Sequence, residues 1–212
     1  MKLVSSFSYP DPEVSGEGSI TNIQMKEHSE ITFKNEDFKG HLFDGEFYDE
    51  CHFVNCDLTG ADFRSSSFDG CTFESCNLTA VKVVSAKWDD ISFKGCKLSG
   101  IDFEPISKML LSFSFENCQI SYCYFKGLKI PSTRFINSEI KECDFIDTDL
   151  SAAIFKGSNL VGSTFVNCNL SKTDFRDAYG YQFNPNNNRL KKAKFSNPEV
   201  LALLNGFDIV IE

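Results

Sequence analysis

Residues 51–78, CHFVNCDLTGADFRSSSFDGCTFESCNL, contain the pattern that decides the fold. A large apolar residue recurs at every fifth position, as at Phe53, Leu58 and Phe63. The position two residues before each of these is mostly small, and it is the one that holds the cysteines. A period of five matches neither the 3.6 residues of a helical turn nor the two-residue repeat of a strand. An amphipathic helix and a flat half-buried sheet are therefore both excluded.

The same period continues over most of the chain. It runs from Phe33 to Phe103, shifts by two residues, and resumes from Leu110 to Phe175. A short repeat of this length is typical of a solenoid, in which each unit buries its apolar residue only by stacking on its neighbours. After the shift, Phe alternates with Ile or Leu, which predicts a four-sided coil with two opposite Phe walls and two aliphatic walls.

The individual pentapeptides carry a family resemblance. The segments CDLTG, ADFRS, CNLTA, CDFID, TDLSA, SNLVG, CNLSK and TDFRD each have a small residue, then Asp or Asn, then Leu or Phe, then two further residues. They resemble the pentapeptide-repeat proteins over roughly residues 31–178. The resemblance implies an all-β solenoid, a right-handed quadrilateral β-helix with four pentapeptides in each coil. Stacking at the interstrand spacing of about 4.8 Å predicts about seven coils and a rod of about 35 Å.

Departures from the repeat divide the chain into three parts. Residues 1–18 contain Pro and Gly that cannot continue the rod, and they predict an N-terminal flap that covers Leu42 and Phe47. Residues 19–178 form the β-helix, with a register break near 104–109 that we interpret as a joint between two rod segments. Residues 179–212 leave the pattern and predict a C-terminal cap.

The C-terminal part predicts a short apolar helix. Asn197 is a typical N-cap, Pro198 suits the first helical position, Glu199 suits the first turn, and Gly206 is a stop signal. The alternating residues 207–212 predict a strand.

Because the end of a stacked rod must be covered or paired, two interpretations remain open, a simple cap and a dimer module. The resemblance to the quinolone-resistance branch, the Qnr and MfpA proteins, favours the dimer, since those rods join end to end through such a tail. The predicted dimerisation residues are Val200, Leu201, Leu203, Leu204, Ile209 and Ile211.

The positions of the cysteines predict a structural role rather than a metal-binding or reactive one. All 9 fall in the small series of the repeat. A metal site would need a few cysteines clustered with His or Asp at ligand spacing. We therefore expect buried thiols that behave as small apolar residues, and their odd number favours a reducing, cytoplasmic compartment.

Nothing in the sequence assembles a catalytic site. The His residues are not at HExxH spacing, and neither a GxSxG motif nor a phosphate-binding Gly loop occurs. Glu36, His41 and Glu46 occupy three consecutive inward positions, where such a trio could bind a metal or move protons, but polar residues near the solvated open end of the rod explain them without such chemistry. We expect no enzyme activity, no cofactor, no metal and no membrane or signal segment.

Charge carries the functional prediction. A net charge of −9 argues against a nucleic-acid binder, which must neutralise phosphates with Lys and Arg. Counting in steps of twenty residues places one acidic band on a single wall before the register break, and a second acidic band follows the break. The first band contains Asp49, Glu50, Asp69, Asp89 and Asp90, and the second contains Glu139, Glu142, Asp144, Asp147 and Asp149.

Carboxylates repeated along a narrow rod resemble a DNA strand, which carries one phosphate per about 3.4 Å. The resemblance to Qnr, MfpA and the microcin and albicidin immunity proteins implies DNA mimicry. It implies binding to a type II topoisomerase, DNA gyrase or topoisomerase IV, and protection of that enzyme from inhibitors such as fluoroquinolones. The alternative is a structural or scaffold protein with another protein partner, which the absence of long loops favours.

Overall fold

The computed structural model describes residues 2–3, 26–207 and 209, and within them the chain is a parallel β-solenoid. In chain order the strands are β1 (Lys2–Leu3), β2 (Glu27–Ser29), β3 (Ile31–Lys34), β4 (Phe47–Asp49), β5 (His52–Val54), β6 (Ser67–Asp69), β7 (Thr72–Glu74), β8 (Asn77–Thr79), β9 (Lys87–Asp89), β10 (Ile91–Lys94), β11 (Lys97–Ser99), β12 (Phe113–Glu116), β13 (Gln119–Ser121), β14 (Arg134–Ile136), β15 (Glu139–Lys141), β16 (Asp144–Ile146) and β17 (Thr164–Val166).

The strands stack into four faces that the chain visits in turn. Face 1 has the order β2-β4-β6-β9, and face 2 has the order β1-β3-β5-β7-β10-β12-β14. Face 3 has the order β15-β13-β11-β8, and face 4 contains β16-β17. Single parallel bridges extend the faces where no strand is formed. The predicted quadrilateral solenoid is confirmed.

From β4 onward, each three-residue strand buries its central residue and leaves its two flanking residues partly or fully exposed. Phe53 is fully buried in β5 and stacks on Phe73 of β7 with ring centroids 4.7 Å apart and planes 9° from parallel. The chain turns between faces at residues with left-handed backbone, such as Asn55 with φ 54° and Gly60 with φ 68°, a conformation that Gly and Asn tolerate best. The core is therefore a continuous set of side-chain stacks, one behind each face, that runs along the rod.

The small series closes the corners of each coil. The backbone N–H of Cys56 donates to Sγ of Cys76 at 3.4 Å, and the N–H of Cys76 donates in the same way to Cys96. Further along this column, the N–H of Cys118 donates to Oγ of Ser138 at 3.1 Å. A compact side chain with a sulfur or oxygen atom thus satisfies a buried backbone donor of the neighbouring coil. All nine cysteines are free and buried, which confirms their structural interpretation.

The register break is a bulge on face 1. Phe73 pairs with Phe93, twenty residues later, whereas Phe93 pairs with Phe115, so one coil has two extra residues. The sequence pattern placed Leu110 in the core, and this prediction is wrong. Leu110 is 73% exposed at a left-handed turn, and Leu111 is buried instead, because the extra residues are accommodated before the inward path resumes.

The stack continues beyond residue 178, where the sequence predicted the solenoid to end. Parallel bridges join Asn169 to Arg189 and Asp174 to Lys194. Phe195 stacks on the preceding coil, and a 3₁₀ turn, Pro185–Asn187, interrupts the last coil.

A short 3₁₀ helix, Glu199–Gly206, follows the last coil. Its N-cap is Pro198, without a side-chain cap, so the assignment of Asn197 as N-cap was wrong. The described residues of the predicted strand 207–212, Phe207 and Ile209, are not in a strand, and its other residues lie outside the described part. No helix among the described residues is long and apolar enough to cross a membrane.

At the N-terminus, β1 pairs with β3 in parallel. The rest of the predicted flap lies outside the described residues, so its contact with Leu42 and Phe47 stays a prediction.

Replacing Phe145 with Ala tests the stacked core. Phe145 is fully buried between Phe125 and Phe165, each 4.8 Å away between ring centroids. We expect a loss of about 3–5 kcal/mol in the free energy of unfolding by urea, because the cavity cannot collapse between fixed coils. Phe207→Ala, at a ring that is 40% exposed, is the control and should cost much less. Equal losses in both variants would contradict the assigned inward face.

Candidate protein-binding surface

Face 1 brings three carboxylates into direct register. Asp49 pairs with Asp69, and Asp69 pairs with Asp89, on three neighbouring parallel strands. Neighbouring strands lie about 4.8 Å apart, so the three side chains extend over about 10 Å of the rod. They are held outward because the preceding residue of each strand is an aromatic side chain buried in the core.

Two further acids occupy the adjacent corner. Glu50 and Asp90 both have left-handed backbone, with φ 46° and 48°. The N–H of Glu50 donates to the carbonyl of Asp69, which ties this corner to the next coil. Gly70 occupies the same corner between them, with φ 58°, and the side chain of Glu50 packs against it. We call Asp49, Glu50, Asp69, Asp89 and Asp90 the acidic column.

The acidic column has no basic partner within the described part of the chain. Two of its carboxylates accept only hydroxyl hydrogen bonds, Asp49 from Ser29 at 3.2 Å and Asp89 from Ser112 at 2.8 Å. No salt bridge among the described residues includes any of the five acids. Like charges directly opposite on neighbouring strands are destabilising. Repulsion within the column therefore opposes folding, and among the described residues its carboxylates have only these two hydroxyl hydrogen bonds to offset it.

Other acids of the rod are neutralised locally. Asp174 contacts both Arg176 and Lys194, at 2.7 and 3.7 Å. The hydrogen bond from Arg176 holds the pKa of Asp174 at about 2. Asp62 is paired in the same way with Arg64 and Lys82 on face 4. The contrast distinguishes the acidic column from the ordinary charged surface of the same molecule.

The second predicted band does not form a column. Glu139 lies on face 3 and bridges Asn159, whereas Asp144 lies on face 4 and pairs with Thr164. Asp149 lies on face 1, and Glu142 and Asp147 occupy the corners between these faces. Residues five positions apart lie on successive faces of the same coil. Residues about twenty positions apart lie on the same face of neighbouring coils. These five acids therefore form a partial ring on three of the four faces of one coil, which we call the acidic ring, and their assignment to a column was wrong.

The predicted trio of Glu36, His41 and Glu46 does not form a metal site. Among the described residues, no group of three potential ligands could hold a metal ion. Glu46 instead contacts Nε2 of His28 at 3.1 Å and accepts a hydrogen bond from the hydroxyl of Tyr48 at 2.6 Å. Burial alone would raise the pKa of Glu46, but the hydrogen bonds from His28 and Tyr48 outweigh it and lower the pKa to about 2.

Replacing Glu46 with Gln tests this cluster through its pH dependence. The pKa of Glu46 is 4.5 without the fold and about 2 within it, so the carboxylate stabilises the folded state above pH 4.5. We expect the melting temperature of the variant to fall below that of the wild type at pH 7. This difference should shrink as the pH falls from 4.5 towards 2. Glu116→Gln, at an exposed position, is the control, and a pH-independent difference for Glu46→Gln would contradict the assignment.

The residues predicted for dimerisation separate into two groups. Val200 packs partly buried against the core and Leu203 is only 7% exposed, so both cover the end of the rod. Leu201 is 41% exposed and Ile209 is 55% exposed. Leu204 is half-buried, and Ile211 lies outside the described residues. The helix is therefore a cap that leaves some apolar surface exposed.

Sequence reasoning missed a basic patch at the other end of face 1. Arg189 and Lys191 flank the half-buried Leu190 and are exposed, and Arg189 continues face 1 through its bridge to Asn169. Lys172 and Lys192 occupy the adjacent corner, one coil apart, and are also exposed. Counting in twenties from Lys172 would have revealed the patch. The basic patch comprises Lys172, Arg189, Lys191 and Lys192, and none of them forms a salt bridge with another described residue.

Comparisons with known proteins agree with this architecture. A family model described as a pentapeptide repeat region matches residues 48–125, and a model of pentapeptide repeats in 8 copies matches residues 143–179. No curated protein sequence matches the chain.

Two solved structures are similar to the chain. HetL, a pentapeptide repeat protein involved in heterocyst differentiation regulation from the cyanobacterium Nostoc sp. strain PCC 7120, is 13% identical with a TM-score of 0.60, over 82% of this chain and 86% of HetL. A trypsin-treated form of QnrB1, a plasmid-mediated fluoroquinolone resistance protein, is 22% identical with a TM-score of 0.42, over 88% of this chain and 100% of that one. At these identities the likeness to HetL establishes the fold alone.

Proposed function

Since the chain belongs to the pentapeptide-repeat proteins, whose filled coils present outer faces rather than an enclosed cavity, we propose that it is a non-catalytic binding protein. Its acidic column docks into a basic groove on a protein partner. The partner class is a type II topoisomerase, DNA gyrase or topoisomerase IV, and the groove is the one that binds DNA. Occupation of that groove would displace DNA and protect the enzyme from inhibitors that act on the DNA complex.

The absence of local charge compensation is the observation that carries this proposal. The column places like charges at neighbouring levels of the rod without a described basic partner. Its charges repeat about every 4.8 Å along the rod, which is the same scale as the axial rise of about 3.4 Å per phosphate of one DNA strand. A groove that neutralises phosphates with Lys and Arg supplies the missing partner charges. The resemblance of the pentapeptides to the Qnr and MfpA branch points to topoisomerases among proteins with such grooves.

The arrangement also limits where the contact lies. Because the acidic ring runs across one coil rather than along the rod, the acidic column is the one of the two sets that presents in-line charge, and it occupies the N-terminal half of the rod. A dimer joined through the exposed apolar surface of the C-terminal helix would place two such columns near opposite ends of an assembly about 70 Å long, from two rods at the interstrand spacing. Two columns on one rigid body would contact a symmetric, DNA-binding enzyme at two places.

A scaffold role with a different protein partner is the second candidate. It is favoured by the shortness of the only insertion in the described coils, the bulge at Met109 and Leu110, because a partner surface here would be a face rather than a loop. Both candidates place the protein among binding proteins, and they differ in the partner. A topoisomerase partner would require a location in the cytoplasm.

Neutralising the acidic column tests the proposal. The variant Asp49→Asn, Asp69→Asn, Asp89→Asn should keep the wild-type melting temperature or exceed it, because like-charge repulsion is removed. We expect at least about tenfold weaker binding to gyrase, or about 1.4 kcal/mol, measured by surface plasmon resonance at low salt. Relief of ciprofloxacin inhibition in a supercoiling assay should fall in parallel.

A charge-matched variant separates the column from net charge. Glu142→Gln, Asp144→Asn, Asp147→Asn removes the same charge from the acidic ring, and its binding should stay near that of the wild type. Equal loss in both variants would mean that only overall charge matters. If the wild-type protein binds neither gyrase nor topoisomerase IV at low or at physiological salt, the topoisomerase assignment is wrong and the scaffold role is favoured.

Replacing Leu201 with Asp tests the C-terminal dimer. Leu201 is exposed on the capping helix, whereas the buried Leu203 holds that helix on the rod. A charge at position 201 should convert a dimer to a monomer in sedimentation velocity runs at 1 M salt, where charge contacts are screened, while leaving the melting temperature nearly unchanged. Apolar contacts are weakly screened by salt, so the wild-type dimer should persist at high salt. A monomeric wild type at tens of micromolar would refute the dimer.

A further inference from the structure

Face 1 carries opposite charges at its two ends. The acidic column occupies the levels of β4, β6 and β9, and the basic patch occupies the last two levels of the same face. Neither group has a charge partner among the described residues. Between them, Lys129 lies in register with Asp149, so the middle of the face is balanced. The negative and positive groups are separated along the rod but lie on the same side of it. The net charge alone does not reveal this arrangement.

Such a face is complementary to itself when one copy is reversed. In an antiparallel arrangement about a two-fold axis, the acidic column of each copy meets the basic patch of the other, and both contacts form at once. In a parallel arrangement acids would face acids and bases would face bases, so the charges also select the orientation. We propose that face 1 binds face 1 of a second copy of this chain in the antiparallel orientation.

The middle of face 1 fits the same arrangement. Met109 and Leu110 project from the bulge, 72% and 73% exposed, between the acidic column and the rest of the face. Beyond the bulge, the next two levels present only short side chains at the outer flank and corner, which are Pro131, Ser132, Ser151 and Ala152. In the antiparallel pair, the projecting bulge of each copy faces this low region of the other. Two exposed apolar side chains in each copy thereby lose contact with water.

This pairing has a regulatory consequence that does not depend on the identity of the partner. It covers the acidic column, so the self-paired form would not be available to a basic groove. It uses a side of the rod, whereas the C-terminal dimer uses its end, and the two associations are separable by their response to salt. Pairing through charges should weaken steeply as the Debye length falls from about 30 Å at 0.01 M salt to about 3 Å at 1 M salt.

Charge exchange between two variants tests the proposal, with Leu201→Asp present in every protein so that the C-terminal contact is removed. One variant carries Asp49→Lys, Asp69→Lys, Asp89→Lys, and the other carries Lys172→Glu, Lys191→Glu, Lys192→Glu. We expect the parent protein to dimerise in sedimentation velocity runs at low salt, with an apparent Kd at least about tenfold weaker at 1 M salt. Each variant alone should be monomeric, and an equimolar mixture should form a heterodimer.

Two further measurements keep the test decisive. The off-face reversal Glu142→Lys, Asp144→Lys, Asp147→Lys should leave self-association intact, and its loss would assign the effect to net charge. Carbodiimide coupling of isotopically light and heavy parent protein should link acids of the column in one copy to Lys172, Lys191 or Lys192 of the other, and coupling only elsewhere would overturn the geometry. A parent that stays monomeric at low salt, or a mixture of folded variants that does not associate, would overturn the proposal.

Discussion

Stacking of one large side chain on its equivalent in the next coil is the contact on which the rest of this molecule depends. Phe135 and Phe155 show it in its simplest form, with ring planes 1° apart and centroids separated by 4.8 Å. That separation equals the spacing of hydrogen-bonded strands of about 4.8 Å, so ring stacking and backbone pairing are satisfied by the same rise. A residue at an inward position can therefore vary only among side chains that fill one such layer.

Because the inward side chains fill the core, core packing does not constrain the residue types at the outward positions. Two residues flank each inward side chain, and their side chains meet solvent, nearby outward residues of the same coil and the corresponding residues one coil away. Where opposite charges meet in this way, as at Asp174 and Lys194, the pair supports the local stack. Where like charges meet, as along the acidic column, the fold bears a cost. Charge that the fold neither needs nor neutralises is thus the clearest indication of function that such a surface can give.

The five-residue repeat was predicted well because its period is directly visible in the sequence. The bulge that interrupts the repeat was predicted less well. Leu110 fits the pattern by spacing alone, but the extra residues of the bulge displace it outward and bury Leu111. The ring that includes Glu139 and Asp149 is close in sequence and was mistaken for a column, since sequence proximity corresponds to movement around the coil. The basic patch was overlooked because Lys172 and Lys192 are neighbours in space but lie twenty residues apart in the sequence.

The positions of the charged residues along the rod therefore describe the surface charge better than the overall composition does. The net charge of −9 describes a uniformly acidic molecule, yet face 1 is acidic at one end and basic at the other. A stiff solenoid holds these ends apart, because each coil contacts only its neighbours and no loop in the described part of the chain folds back to neutralise them. A flexible chain with the same residues would pair its own charges. Rigidity thus preserves both charge groups for a second molecule, either a basic groove or a reversed copy of the same face.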